Sequence, residues 1–324
     1  MQKRKLGKAG LDVSEIGFGA WAIGGSWGPQ NNQDSVAALH KALDLGVNFI
    51  DTAAGYGDGK SEKIIAEVLK SRSEKVLVAT KTPPVAGNWP PSPYDNVDER
   101  YPENYLRQNV EDRLRNLNVD CLDVLQLHTW TRAWNRNPRP FEVLRKLQAE
   151  GKIRAIGVST PEQDQNSVID LMRGGWVDTV QVIYSIFEQE PAAELLPVAQ
   201  ETKVGIIVRV VFDEGALTGK FTSATKFASD DFRNRYFEGD RLERAVKRAA
   251  KVQADLSHTG LSLAEVAIKF ALMHPAVSTV IPGIRTPAQA EANTSVSDMP
   301  ELSEDLMAKL RTHYWNRGFW YGGK

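Results

Sequence analysis

The chain has 324 residues, 42% hydrophobic and 25% charged, a composition typical of a water-soluble globular protein and long enough for one large α/β barrel or two modest domains. A formal net charge of −1 gives no basis for nucleic acid or an anionic membrane as partner. One cysteine, Cys121, excludes an intramolecular disulfide and fits a reducing compartment.

The basic start, Met1-Gln2-Lys3-Arg4-Lys5, runs into Leu6-Gly7 without the apolar core of a signal peptide. No apolar run reaches membrane-spanning length, so a cytoplasmic protein is expected. Residues 3–6 and 12–14 flank a Gly-Lys-Ala-Gly turn and predict a hairpin. Residues 15–19 read as a first buried strand. Helical spacing of Val36, Leu39 and Leu43 predicts a helix over 32–45, stopped by Gly46. A strand at Asn48 and a helix over 61–69 follow. Strands are then expected over 76–81, 121–128, 153–159, 179–185, 205–211 and 278–282. The helices between them are expected over 103–117, 140–150, 163–173, 192–202, 242–256 and 262–274. Two more are expected over 287–293 and 303–311.

About eight apolar strands, each followed by a helix, predict a (β/α)₈ barrel with an N-terminal hairpin and extra C-terminal helices, as one domain over 1–324. A doubly wound pair of half-domains is the alternative, but it needs a boundary that the composition does not show. Gly17-Phe18-Gly19-Ala20-Trp21-Ala22 mimics a dinucleotide fingerprint, yet no helix opens directly behind it and no strand-end acid follows at the required spacing. Two connections exceed plain turns. Residues 82–102 are proline-rich around Trp89 and Tyr94, and are expected to form a stiff wall. Residues 212–240 carry a charged, aromatic run suited to a lid. Cys121 is expected as a packed thiol rather than a nucleophile.

Four polar residues fall at strand ends or just beyond: Asp51, Tyr56, Lys81 and His128. In a barrel these ends converge on one mouth. A free tyrosine has a pKa of about 10, too high for proton exchange at neutral pH. A neighbouring ammonium is expected to lower it, with a carboxylate holding the ammonium charged. A neutral imidazole can orient a carbonyl oxygen. Singly, such residues are more often salt bridges or hydrogen-bonded structural groups. Together they suit protonating a developing alkoxide.

The chain also resembles the aldo-keto reductase superfamily nearly end to end, especially its bacterial general-stress reductases and potassium channel β-subunits. The resemblance rests on Ile16-Gly17-Phe18-Gly19-Ala20-Trp21, Phe49-Ile50-Asp51-Thr52-Ala53 through Tyr56, Thr80-Lys81, and Asp120-Cys121-Leu122-Asp123 to His128. It continues in 151–159, in Gly215-Ala216-Leu217-Thr218-Gly219-Lys220, and in Ile281-Pro282-Gly283-Ile284-Arg285-Thr286-Pro287-Ala288-Gln289 through Asn293. It implies a (β/α)₈ barrel, a catalytic tetrad of Asp51, Tyr56, Lys81 and His128, and extended NADP(H) across the mouth. Ser159 and Gln181 would meet the carboxamide, Leu217 and Gly219 the pyrophosphate, and Gly283, Arg285, Gln289 and Asn293 the adenosine end. Trp21, Asp51 and Arg209 are counted with the cofactor residues. Arg285 also suits stacking on adenine and forking onto a 2′-phosphate.

The chain departs from that pattern at Thr160, usually asparagine, and at Ala292, often an acid. At Arg209-Val210-Val211-Phe212 the family commonly has an aromatic followed by Ser-Pro-Leu, so an arginine takes the place of the nicotinamide's aromatic plate. Trp27, Trp89 and Trp130 are expected to wall the substrate pocket, with Trp134 nearby. The aromatic tail, Tyr314-Trp315-Asn316-Arg317-Gly318-Phe319-Trp320-Tyr321, is expected to fold over its own pocket or bind a neighbouring subunit, leaving monomer and homo-oligomer both open. The expected activity is NADPH-dependent reduction of a small-molecule aldehyde or ketone (aryl, terpenoid or sugar), reversible to alcohol oxidation. No metal is assigned. The alternatives are a regulatory subunit that senses cofactor redox state, and a Schiff-base lyase or isomerase using Lys81. The latter leaves Arg285 to Asn293 unexplained.

Overall fold

Nearly every position of the parallel strands is buried on both faces, as expected when one face turns into a closed barrel and the other meets helices. The computed structural model, which describes residues 1–317, has that arrangement. An antiparallel hairpin, β1 (Lys3–Lys5) with β2 (Asp12–Ser14), precedes eight parallel strands. These are β3 (Phe18–Gly19), β4 (Phe49–Asp51), β5 (Leu77–Thr82), β6 (Leu122–Leu127), β7 (Ile153–Ser159), β8 (Thr179–Ile183), β9 (Gly205–Arg209) and β10 (Val277–Val280). They pair in sequence order, and parallel bridges Ile16–Val280 and Gly19–Gly283 join the first strand region to the last.

Alternation along each strand sorts the side chains. Phe49, Leu77, Ala79, Val124, Ala155, Ile207 and Ile281 turn inward and pack with Leu6, Leu11 and Val13 of the hairpin, which plugs the N-terminal end. Ile50, Val78, Leu125, Ile156, Val180 and Val208 turn outward onto the helices. One inward layer nearer the C-terminal ends is polar instead: Asp51, Lys81, Gln126 and Gln181, all buried. Parallel register sets Lys81 beside Gln126 across β5 and β6.

Most expected elements recur within a residue or two of their bounds, and helix Glu103–Leu117 and strand Ile153–Ser159 recur unchanged. The helix expected over 163–173 is instead a 3₁₀ turn, Gln165–Val168, running into a short α-helix, Ile169–Arg173. Cys121 lies just before β6 and is half-buried, with burial pushing its thiol up from its ordinary value. Within the long connections sit a one-turn helix, Val97–Arg100, a kinked 3₁₀ run, Asp213–Thr218, and a second short helix, Arg233–Tyr236. Among the described residues no helix is long and apolar enough to cross a membrane. Gly318, Phe319, Trp320 and Tyr321 of the aromatic tail lie outside the described residues.

Candidate active site

The site is built on the polar layer. Lys81 has 0% exposure, and its ammonium donates to Asp51 Oδ1 at 2.5 Å, Thr52 O at 2.8 Å and Tyr56 Oη at 3.3 Å. The second carboxylate oxygen, Asp51 Oδ2, accepts from Gln181 Nε2 at 2.7 Å and Gln126 Nε2 at 3.2 Å. A buried ammonium with three acceptors and a carboxylate with three donors is a satisfied pair, which makes burial of both charges tolerable.

Tyr56 arrives on the loop beyond β4. A Cβ on Gly24 would lie 2.6 Å from the Tyr56 carbonyl carbon, so only glycine admits the loop there. The phenol ring stacks on Trp21, with centroids 5.8 Å apart and planes 17° apart, and meets the edge of His128 at 6.0 Å. Trp89 packs edge-on against His128 at 5.4 Å while 54% of its own surface stays exposed.

Electrostatics here depart from the expectation for the phenol. Burial raises the Tyr56 pKa above its ordinary value, and the opposing pull of Lys81 does not reverse it. The local charge was read correctly, but desolvation outweighs it. Burial also draws down the Lys81 ammonium, yet Asp51 and then Tyr56 more than compensate, leaving it above its ordinary value. His128 is held well below its usual range by burial, then by the charges of Lys81 and Arg209. At neutral pH the centre therefore contains a protonated phenol, an ammonium and a neutral imidazole.

The remaining expected residues lie on β7, β8 and β9 and on the segments after β9 and β10. Ser159 closes β7, Gln181 pairs with it from within β8, and both are buried. Arg209 closes β9, donates to Thr160 O at 3.1 Å and approaches Glu162 at 3.6 Å. Leu217 is buried, and Gly219 takes φ +72° at the end of the 3₁₀ run. Arg285 is fully engaged: Nε donates to Gln30 Oε1 and Nη1 to Trp27 O, both at 2.9 Å, and Nη2 to Pro29 O at 2.5 Å. Gln289 Oε1 accepts from Arg285 N at 2.7 Å. Asn293 is 7% exposed, and its Nδ2 has no hydrogen-bond partner among the described residues. Nothing lies within 4 Å of where a Cβ on Gly283 would sit. An unspent buried donor at Asn293 and open space at Gly283 each suit a ligand with acceptor atoms.

One expected wall residue is misplaced. Trp130 has 0% exposure, packs against Trp134 and Phe141, and donates its indole N–H to Asn135 at 2.7 Å. Its position after β6 turns it under the loop into the core, as with Trp134, so it offers no surface to a ligand. Trp27 instead joins Trp21 and Phe232 in a cluster, with ring centroids 4.7 to 5.3 Å apart. Arg233 stacks on Trp27 at 4.8 Å, and Phe232 N donates to Ser26 O at 3.0 Å. These contacts dock the 212–240 connection onto the segment after β3.

Two features escaped sequence reasoning. One is Gln126, whose only signal is a lone amide within an apolar strand. The other is a cavity of about 370 Å³ beyond Arg209, lined by Glu162, Glu188, Asp213, Glu214, Tyr236 and Arg317 among others. Arg317 pairs with Asp213 at 2.7 Å. Glu214 is 6% exposed, and burial, then the charge of Glu162, pushes its carboxyl up to about 8. Among the described residues no cluster of three or more metal-ligating side chains is placed to hold a metal ion.

Comparison with known proteins accords with this geometry. The Aldo/keto reductase family model matches residues 15–314. The aldo-keto reductase YhdN of Bacillus subtilis is 32% identical over 314 residues, covering 94% of this chain and 91% of that protein. The NADH-specific methylglyoxal reductase of Escherichia coli is 28% identical, covering 94% and 99% respectively. Among solved structures, the glycerol dehydrogenase AKR11B4 of Gluconobacter oxydans superposes with a TM-score of 0.78 at 27% identity, covering 96% of this chain and 94% of that one. The chain belongs to the aldo/keto reductase family of carbonyl-reducing oxidoreductases.

Proposed function

We propose that this chain reduces an aldehyde or ketone with NADPH, with Tyr56 as proton donor. The observation that carries the reading is the Tyr56 hydroxyl 3.3 Å from an ammonium whose charge Asp51 secures, on a phenol that burial keeps protonated. Bound NADPH supplies the hydride. As the carbonyl oxygen gains charge, Tyr56 gives up its proton, and Lys81 stabilises the phenolate left behind. His128, neutral at working pH, orients the carbonyl oxygen without competing as an acid. Asp51 keeps Lys81 charged throughout. The reverse oxidation is open to the same groups.

Ser159, Gln181, Leu217, Gly219, Gly283, Gln289 and Asn293 would hold the cofactor. The unspent Asn293 donor and the space above Gly283 support this. Arg209 would flank the nicotinamide, and Arg285 would exchange carbonyl partners for a 2′-phosphate. Trp21, Trp27 and Trp89 form rigid apolar walls near Tyr56 and His128, which suit a carbonyl compound with a flat face: aryl, cyclic terpenoid or sugar. The lone cysteine fits a reducing, cytoplasmic setting.

Tyr56→Phe tests the reading. It should leave NADPH affinity nearly intact and lower carbonyl turnover by about 10²-fold or more. Unchanged turnover, followed by NADPH absorbance across aryl, quinone and sugar-derived carbonyls, would reject Tyr56 as the acid.

A further inference from the structure

The Asp51 carboxylate is held by two amides, and they are not equivalent. Gln181 lies beside Ser159 in the β7–β8 register, where the proposed function gives it a second task on the cofactor's carboxamide. Gln126, fully buried in β6, pairs with Gly157 of β7, two residues before the Ser159 that Gln181 pairs with, so it sits deeper in register from the mouth. Its place depends on its neighbours. A Cβ on Gly157, its register partner in β7, would lie 2.9 Å from Gln126 Cγ and 2.3 Å from Thr179 Oγ1. The absent side chain at 157 is what lets the glutamine cross the barrel interior to Asp51. Gln126 Oε1 and Thr179 Oγ1 both remain without partners among the described residues, although both are buried. A buried amide that leaves its oxygen unsatisfied carries a cost. Here the geometry puts its nitrogen on a carboxylate, with no other side-chain hydrogen bond among the described residues.

We propose that Gln126 is a positioning residue for the reaction: it holds Asp51 Oδ2 so that Oδ1 stays on Lys81 when Gln181 turns to the cofactor. This rests on the Tyr56 reading above. The chain of contact runs Gly157, Gln126, Asp51, Lys81, Tyr56, and only the last member meets substrate. The charged and titratable groups around this chain are Asp51, Lys81, Tyr56, His128 and Arg209, from four different strands or the loops beyond them. Without the Gln126 donor, the carboxylate is free to rotate about its terminal bond. Lys81 is then less firmly paired, and the phenol loses part of its support.

Two variants of the full-length chain test this. Gln126→Met keeps the shape and removes the donor. It should lower kcat about ten- to a hundredfold, the worth of a hydrogen bond to a charged group, with NADPH affinity unchanged. Gln126→Glu donates to Asp51 only while protonated. Its kcat should approach wild type on the acid side and fall as pH rises and the two carboxyls repel, a fall that wild type lacks. A merely space-filling glutamine would not produce that profile. Wild-type kcat in Gln126→Met, or a wild-type pH profile in Gln126→Glu, overturns the proposal. If the Met variant does not fold, the Glu profile decides alone. Tyr56→Phe, assayed alongside, separates the two ideas. If it keeps turnover, the proton-donor reading fails; if it loses turnover while Gln126→Met does not, only the positioning role fails.

Discussion

Asp51→Asn is the sharpest test of the buried pair, because stability and activity should respond to pH in opposite directions. At 2.5 Å and an effective dielectric of about 20, the Asp51–Lys81 attraction is roughly 7 kcal/mol before desolvation is subtracted. Removing one partner of a buried pair typically costs about 3–5 kcal/mol, a large share of a net stability of about 5–15 kcal/mol. In wild type, Lys81 sits above its ordinary value, so its contribution is present at neutral pH and lost only as pH rises through that raised value. Without Asp51, burial becomes the ruling influence, and the folded pKa drops below the unfolded value of about 10.4. The sign then reverses. The variant is least stable at neutral and acid pH and recovers as pH rises toward about 10, where the unfolded lysine also loses its proton. Activity needs the ammonium, so residual turnover should rise as pH is lowered. Urea midpoints and kcat, measured across the same buffers, read both trends. A stability loss under about 1 kcal/mol with pH-independent turnover would show that Asp51 does not secure the charge on Lys81.

Glu214 gives a second pH signature. Its carboxyl is raised from about 4.3 in the unfolded chain to about 8 when folded, so ionisation favours unfolding. Wild-type stability should therefore decline as pH rises between these values and level off above them. Glu214→Gln should remove that slope, gaining on the order of 5 kcal/mol at pH 9 and little at pH 4; parallel melting curves would contradict the assignment. Arg285→Ala should weaken NADPH far more than NADH, on top of a shared loss from freeing Trp27, Pro29 and Gln30. Equal losses in a fluorescence titration would exclude a 2′-phosphate contact. Carbonyl reduction should hold a broad plateau, because His128 takes up a proton only well below its usual value and Tyr56 releases one only above pH 10. Alcohol oxidation, which needs Tyr56 deprotonated, should instead climb with pH. A reduction rate that falls across neutral pH would refute this pair of protonation states.

The barrel was legible because its signals are local and repeated. Apolar runs such as Ile153–Ser159, separated by amphipathic helices such as Glu103–Leu117, leave little choice of architecture. Proximity among Asp51, Tyr56, Lys81 and His128 was legible for the same reason, since parallel strands bring their C-terminal ends to one rim. Other features depend on directions that a strand-end rule does not contain. Trp130 and Trp89 both follow strand ends, yet one turns under its loop into the core while the other stands 54% exposed beside His128. Arg285 was read as a group for adenine and the 2′-phosphate, but its hydrogen bonds to Trp27, Pro29 and Gln30, some 255 residues earlier in the chain, carried no sequence signal. Gln126 was hidden by its own surroundings, since an apolar strand draws attention away from the single amide within it.

The misjudged phenol shows why site chemistry is harder to read than site membership. Which charges stand near Tyr56 follows from the sequence and the barrel rule. How strongly they act depends on how much water the fold removes, which is a property of the whole mouth. The same desolvation keeps Tyr56 protonated and His128 neutral, so one physical cause prepares both the proposed donor and the proposed orienting group. Only Lys81 escapes it, because Asp51 lies 2.5 Å away and two glutamines hold that carboxylate's other oxygen. A barrel mouth without the amides would still desolvate the phenol and imidazole, but its ammonium would be less secure. The polar layer therefore acts as one unit, with each neutral amide serving to keep a single buried charge in place.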